Sequence, residues 1–419
     1  MKNKILLLLA LIGAALSAQA YDFTDVCTTG QTLYYNIRGN SAVVTHPNDA
    51  EFDEAWTGFE KPTGSVMIPD MVEHDGLFYN VTTIGAYAFC GCDSIMSFAL
   101  PSTLTTMEAA AFWGCSRVRV LDIPTPVTSI GESAFGHCTS LGLIIYDAAD
   151  CATFASSAFA GCDSVKQMFI SNRVRRIPET AFFGLYSLKR IDYLGNLAEW
   201  CRIDFGANPL LYAKHLYIEG TEVYDLTIPA SITRVMRNAF VNCLGLESVS
   251  MGPQVTAISE GAFNGCSELT SLQLGQHVDS ISDWAFTSCS ALASITSLNT
   301  HAPVIGGDAT FYEVDKSIPL HVPEGSADEY RNAYGWREFA NIVADIIAGI
   351  DAAPSVEASI SVHGHEIAVD VPNSTSACLY GMDGRLVDSS RQGTLHAPAT
   401  GVYLVQVGNT PARKVVVTQ

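Results

Sequence analysis

Ala111-Phe112-Trp113-Gly114-Cys115-Ser116-Arg117-Val118-Arg119-Val120-Leu121-Asp122-Ile123-Pro124-Thr125-Pro126-Val127-Thr128-Ser129-Ile130-Gly131-Glu132-Ser133-Ala134-Phe135-Gly136-His137-Cys138 is one unit of a repeat and the start of the next. Ala-Phe returns eight times, with the phenylalanine at Phe89, Phe112, Phe135, Phe159, Phe182, Phe240, Phe263 and Phe286. Successive gaps are 23, 23, 24, 23, 58, 23 and 23 residues. A unit of about 23 residues has too little interior to bury its own apolar face, so only stacking against neighbours completes a core. The period therefore predicts a solenoid.

Registering the units on that phenylalanine exposes the other positions. Cysteine stands three residues later at Cys92, Cys115, Cys138, Cys162, Cys243, Cys266 and Cys289, and the fifth unit has Leu185 instead. An isoleucine precedes the Ala-Phe, as at Ile84, Ile130, Ile177, Ile258 and Ile281. Apolar residues follow at relative positions one, four and six, for example Val118, Leu121, Ile123 and Leu269, Leu272, Leu274. The alternation at positions four and six reads as a short strand with one face inward. Each coil is expected to supply one strand of a curved parallel sheet, a turn, an extended Ile-containing segment and a short helical turn carrying Ala-Phe-x-x-Cys. Strands spaced about 4.8 Å apart would make a sheet roughly 35 to 40 Å long over eight coils.

The unit Leu-x-x-Leu-x-Leu-Pro followed by Val-x-x-Ile-Gly-x-x-Ala-Phe-x-x-Cys resembles the BspA-type leucine-rich repeat of bacterial surface proteins, over residues 64–345. The resemblance implies an α/β leucine-rich repeat solenoid with an adhesion or interaction role at the cell surface or in secretion.

The thiol ladder is read as packing. Equivalent residues of stacked coils lie about 5 Å apart with parallel side chains, whereas a disulfide needs Cβ atoms about 3.8 Å apart and facing each other. Each cysteine then acts as a small hydrophobe donating a weak S–H bond to a turn carbonyl. Leu185 makes the same point without sulfur. Cys90 and Cys92 are too close for an ordinary disulfide, and Cys27, Cys151, Cys201 and Cys378 fall outside the ladder with no pairing readable.

Residues 1–20 read as a signal peptide: Lys2 and Lys4, an apolar run from Ile5 to Leu16, and Ala18-Gln19-Ala20 as the cleavage pattern. No later stretch is apolar enough over about 18 residues to suggest a transmembrane segment. The chain is expected to be exported, either secreted or held at the outer cell surface. Net charge is −20, deepening to −22 once Lys2 and Lys4 leave with the leader. Such a field repels phosphate backbones and anionic lipid, which argues against nucleic acid as a partner.

Residues 21–63 hold strand-like runs and read as an N-terminal β cap. The 58-residue gap is one repeat plus an insert near 194–226, in which Trp200 reads as core. Residues 318–345 read as a C-terminal cap and 346–354 as a linker. Residues 355–419 alternate in short runs and read as a small all-β sandwich-like domain. Its segments Leu379-Tyr380-Gly381-Met382-Asp383-Gly384-Arg385-Leu386-Val387, Gly401-Val402-Tyr403-Leu404-Val405-Gln406-Val407 and Arg413-Lys414-Val415-Val416-Val417 resemble the type A C-terminal sorting domain of Bacteroidetes type IX secretion. That resemblance implies a secretion machinery as partner and passage across the outer membrane.

Catalytic signatures are absent: no Gly-x-Ser-x-Gly, no His-Glu-x-x-His, no phosphate-binding Gly-rich loop and no calcium loop. His363 and His365 share a face but have no third ligand in view, so no metal or cofactor is expected. Binding is expected on the strand positions flanking the inward residues, on the concave side of the sheet. The candidate residues are Val120, Asp122, Leu143, Ile145, Gln167, Phe169, Arg190 and Asp192. Among them Val120, Leu143, Ile145 and Phe169 would form an apolar patch on a face that is otherwise Ser-rich, and such patches mark partner sites. The expected partner is an extracellular protein or glycoconjugate. The alternative is a non-adhesive structural or scaffolding component of the cell envelope.

Overall fold

The computed structural model describes residues 20–49, 52–206 and 208–346, and in the C-terminal region 360–363, 365–369, 377–381, 386–390, 394–407 and 413–417. The signal-peptide reading of residues 1–19 and the linker reading of Ala348–Pro354 lie outside the described residues. The chain divides into two compact units, Met1–Ile346 and Ile347–Gln419.

The first unit is a β-solenoid whose regular coils contribute to three inter-coil ladders. The first is made of long strands at the leucine-rich positions. Val120–Ile123, Leu143–Tyr146, Gln167–Ile170, Arg190–Tyr193 and Leu216–Ile218 pair in parallel and in register. The second ladder is made of two-residue strands at the upstream isoleucine, such as Thr106–Met107, Ser129–Ile130 and Thr153–Phe154. The N-terminal meander of Phe23–Val26, Thr32–Arg38 and Ser41–Thr45 extends this ladder, because Ser41–Thr45 pairs in parallel with Leu77–Ile84.

The Ala-Phe turns form the third ladder. In the regular coils the phenylalanine amide donates to the carbonyl just before the next coil's phenylalanine: Phe89 to Ala111 at 2.8 Å, Phe112 to Ala134 at 2.7 Å, Phe240 to Ala262 at 2.9 Å. Two residues on, a second amide does the same, as Gly114 to the Gly136 carbonyl and Gly265 to that of Thr287, both at 2.8 Å. That donor sits at positive φ in coil after coil, for example Gly114 at 72° and Gly265 at 75°, which is why glycine recurs there. The segment is thus a succession of i→i+3 turns broken by left-handed residues, where the sequence pattern predicts a short helical turn. The α-helices among the described residues, Leu197–Trp200, Leu210–Ala213 and Ala327–Asn332, lie outside the Ala-Phe turns.

Inside the turns the phenylalanine rings stack face to face. Centroids are 5.5 Å apart for Phe89–Phe112, 5.2 Å for Phe112–Phe135 and 5.3 Å for Phe135–Phe159. The stack resumes at Phe240 and continues through Phe263 and Phe286 to Phe311. Phe311 heads a coil that the Ala-Phe count misses, because Thr310 replaces the alanine and buried Val314 replaces the cysteine. The thiols behave as small buried donors: Cys115 Sγ donates to Phe89 O at 3.3 Å, Cys162 to Phe135 O at 3.0 Å and Cys266 to Phe240 O at 3.1 Å. No disulfide joins any of the twelve cysteines, and eleven are buried.

The expected continuous long-strand sheet is interrupted twice. Ile95–Ala99 pairs with Gly64–Met67 in a sheet of their own, separate from Val120–Ile123. At the other end Leu216–Ile218 turns through Glu219 and Gly220, both at positive φ, into the antiparallel strand Thr221–Glu222. Two left-handed residues in a two-residue loop make the hairpin geometry that matches strand twist, and the hairpin covers the sheet edge. A second parallel sheet then runs through Asp225–Thr227, Ser248–Ser250, Ser271–Leu274, Ser294–Ser297, Pro319–Pro323 and Asn341–Ile346.

The gap between Phe182 and Phe240 therefore contains an irregular coil. Asp204–Phe205 pairs with Arg176–Ile177 as its short strand, Leu216–Ile218 is its long strand, and helix Leu210–Ala213 stands where a turn would be. Trp200, fully buried, completes the stack's hydrogen bonding: its indole N–H donates to Ala239 O at 3.0 Å, the carbonyl that elsewhere receives a phenylalanine amide. Trp56 does the same at the first coil, donating to Ala88 O at 3.2 Å.

The second unit is all-β. Ile360–His363, Glu366–Val369 and Thr394–His396 form one antiparallel sheet, and Leu386–Ser390, Ala377–Gly381, Gly401–Val407 and Arg413–Val417 another. Ile367, Leu379, Leu395, Val405 and Val417 are among the side chains of their common core. Thr394–His396 has no counterpart among the alternating runs, since three residues are too few to show a period.

Candidate functional site

The outward positions of the first long-strand sheet form two rows set by the ladder register. One row is Val120, Leu143, Gln167, Arg190; the other is Asp122, Ile145, Phe169, Asp192, Tyr217. All eight candidate residues thus share one face. Val120 is 45% exposed, while Leu143, Ile145 and Phe169 are half-buried. Val120 and Leu143 are neighbours across strands, as are Ile145 and Phe169, so the four apolar side chains are contiguous.

One polar candidate, Asp192, departs from the expectation of an open face, while Asp122 is exposed. Asp192 is only 5% exposed, because its neighbours fold over it. Arg190 Nε and Nη2 donate to its two carboxylate oxygens at 2.7 and 2.5 Å, and Gln167 Nε2 donates at 2.7 Å. Burial alone would raise its pKa, but these hydrogen bonds outweigh burial and hold the carboxyl below its usual range. The guanidinium carbon of Arg190 also lies 3.6 Å from the Tyr217 ring centroid, a cation–π stack.

Tyr217 leads into a cluster supplied by the irregular coil and its hairpin. Tyr217 and Tyr224 hydroxyls donate to Glu222 Oε2 at 2.7 and 2.8 Å, and His215 Nδ1 lies 2.5 Å from Oε1. These residues are absent from the sequence-based candidates. The alternation of His215-Leu216-Tyr217-Ile218 around inward Leu216 is the signal that places Tyr217 on the face, whereas Glu222 arrives only through the hairpin. At the opposite edge, burial first and then the neighbouring Asp147 raise the pKa of Asp122. Asp147 itself accepts from Thr125 and, at 2.6 Å, from Arg173 Nη1. The face is an apolar centre with carboxylates on one side and a self-satisfied Arg-Asp-Gln group on the other.

The second long-strand sheet presents another chemistry. Its outward rows read Asp225, Ser248, Ser271, Ser294 and Thr227, Ser250, Gln273, Thr296, His321. Among the described residues no group of three or more His, Cys, Asp or Glu is placed to hold a metal ion. His365, one of the two histidines considered for metal, has Nδ1 2.9 Å from the Ala397 carbonyl. No described helix is long and apolar enough to cross a membrane.

A solenoid of stacked parallel strands with leucine-rich positions inward defines the class as a leucine-rich repeat protein. A model of the BspA-type leucine-rich repeat region matches residues 77–205 and 214–325 in six copies, more than half of the sequence. The chain belongs to the BspA-type leucine-rich repeat family, and at the general level this is a family of protein-binding or adhesion-type surface proteins. Among solved structures it is similar to a leucine-rich cell surface protein of Faecalibacterium prausnitzii, with 18% identity over 78% of this chain and 99% of that one, and a TM-score of 0.29. A leucine-rich repeat protein of Bacteroides ovatus is 20% identical over 78% of this chain and 100% of its own, with a TM-score of 0.27. The pneumococcal vaccine antigen PcpA is 14% identical over 78% and 100%, with a TM-score of 0.30. No curated protein matches the chain.

Proposed function

We propose that this is an exported recognition protein that binds an extracellular protein or glycoconjugate through the outward face of the first long-strand sheet. The observation that carries the reading is the contiguous patch of Val120, Leu143, Ile145 and Phe169, set between charged residues on a face whose counterpart in the second sheet is lined by Ser and Thr. Exposed apolar side chains gathered in one place mark partner sites more often than scattered ones do. In the same reading, residues 1–20 direct export, and the C-terminal β unit serves type IX secretion as a sorting domain.

The test is binding of the chain to arrayed host matrix proteins, mucins and glycans, repeated with Leu143→Ser plus Phe169→Ser. Both side chains are already partly solvated, so the double variant should keep its circular dichroism spectrum and lose binding at least tenfold, about 1.4 kcal/mol or more. Unchanged binding by a folded double variant would remove this face from consideration.

A further inference from the structure

A second surface lies on the turn side of the fifth coil, away from the strand face. Here the repeat departs from its pattern twice: Leu185 replaces the ladder cysteine, and helix Leu210–Ala213 replaces the next Ala-Phe turn. Between turn and helix is a cleft whose lining includes Glu179, Phe183, Asn208, Pro209, Leu211 and Tyr212. Its apolar rim is open to solvent, with Phe183 51% and Leu211 41% exposed. Tyr186, 64% exposed, backs the rim, meeting Phe183 edge-on at 6.4 Å and Tyr212 at 5.1 Å.

Glu179 gives this cleft its sign. The nearest cations along the chain, Arg175 and Arg176, are held by Asp150 and Asp204, which leaves Glu179 without an ion-pair partner among the described residues. On a chain of net charge −20, a carboxylate at an aromatic cleft repels anions and attracts cations.

We propose that this cleft receives an arginine side chain of a partner protein. A guanidinium stacks on an aromatic face and pairs with a carboxylate in one plane, while its aliphatic stem covers apolar lining. The chain shows the same chemistry satisfied internally, where Arg190 lies over Tyr217 and is held by Asp192. At the cleft both the aromatic face and the carboxylate are present and the arginine is not. The inference rests on its own residues and stands apart from the strand-face reading.

Saturation-transfer NMR of the full chain with N-acetyl-arginine amide tests it, with the neutral isostere N-acetyl-citrulline amide as comparison. The arginine probe should give a saturable signal, at least about fivefold stronger than citrulline, consistent with a cation–π contact plus an ion pair. The signal should fall by a similar factor in Glu179→Gln and in Phe183→Ala, both at exposed positions, with an unchanged circular dichroism spectrum as the check on folding. It should persist in Asp122→Asn, which alters the strand face. Equal signals from the two probes would show a cleft that takes a neutral chain, and an undiminished signal in Glu179→Gln would place the arginine elsewhere; either result overturns the proposal.

Discussion

The two long-strand sheets of the solenoid are built on the same interior and present different exteriors. Under both, phenylalanine rings stack nearly parallel at 5.2–5.5 Å, and thiols donate to the phenylalanine carbonyl of the preceding coil. Outside, the first sheet carries Val120, Leu143, Ile145 and Phe169, and the second carries Ser248, Ser271, Ser294 and Thr296. Inward positions are bound to the coil spacing, since any change of volume is felt by both neighbours. Outward positions have no such constraint, so recognition is free to diverge there while the core repeats.

Three measurements bear on that comparison. The largest effect is expected from emptying a ring position. Phe112 and Phe263 each stack between two rings, so alanine at either should cost about 3–5 kcal/mol of unfolding free energy, nearly equally, in denaturant titrations. A difference of more than about 1.5 kcal/mol between them would show that the two interiors are not equivalent. Trp200→Phe addresses the junction between the halves: it removes the donor to Ala239 O and leaves a buried carbonyl unpaired, at a cost of about 2 kcal/mol. A neutral result would mean that the indole only fills space.

The smallest expected effect concerns the thiols. Burial pushes the Cys289 thiol up to about 12, against the hydrogen bond at Cys266 that lowers it. Below about pH 8.5 folded and unfolded chains both hold this proton, and the stabilising difference is intact. Above it only the unfolded chain releases the proton, so stability falls as pH rises toward the folded value. The loss is about 1.4 kcal/mol per pH unit for each such thiol. Cys289→Ala should remove one thiol's share of that slope, about 1.4 kcal/mol in all, in melts recorded between about pH 8.5 and 9.5. An identical slope would show that the Cys289 thiol ionises as readily in the fold as outside it.

Much of the architecture was legible because its signals repeat. Phenylalanine, the cysteine three residues on and the apolar positions at four and six recur in register, and a register seen seven or eight times survives local exceptions. What escaped were the single departures. Phe311 heads a coil without the alanine or the cysteine, identified by its ring 5.5 Å from Phe286 and by the Phe286 amide donating to the Thr310 carbonyl at 2.9 Å. Trp200 was readable as core, but that its N–H replaces a backbone donor was not. At the candidate site, strand alternation put eight residues on one face. It left Asp192 as an open carboxylate because alternation reports direction, while exposure depends on Arg190 and Gln167 closing over it.

By itself the sequence determined that this chain stacks coils, which residues face inward, and that its ladder cysteines pack, since each follows from period and side-chain size within one unit. Only the tertiary structure decided where the long-strand sheet breaks, that the Ala-Phe segment is a run of turns broken by left-handed residues rather than a helical turn, and that Glu222 and Glu179 sit where they do. Those outcomes depend on hydrogen bonds and contacts between residues far apart in the chain, and no local pattern encodes them.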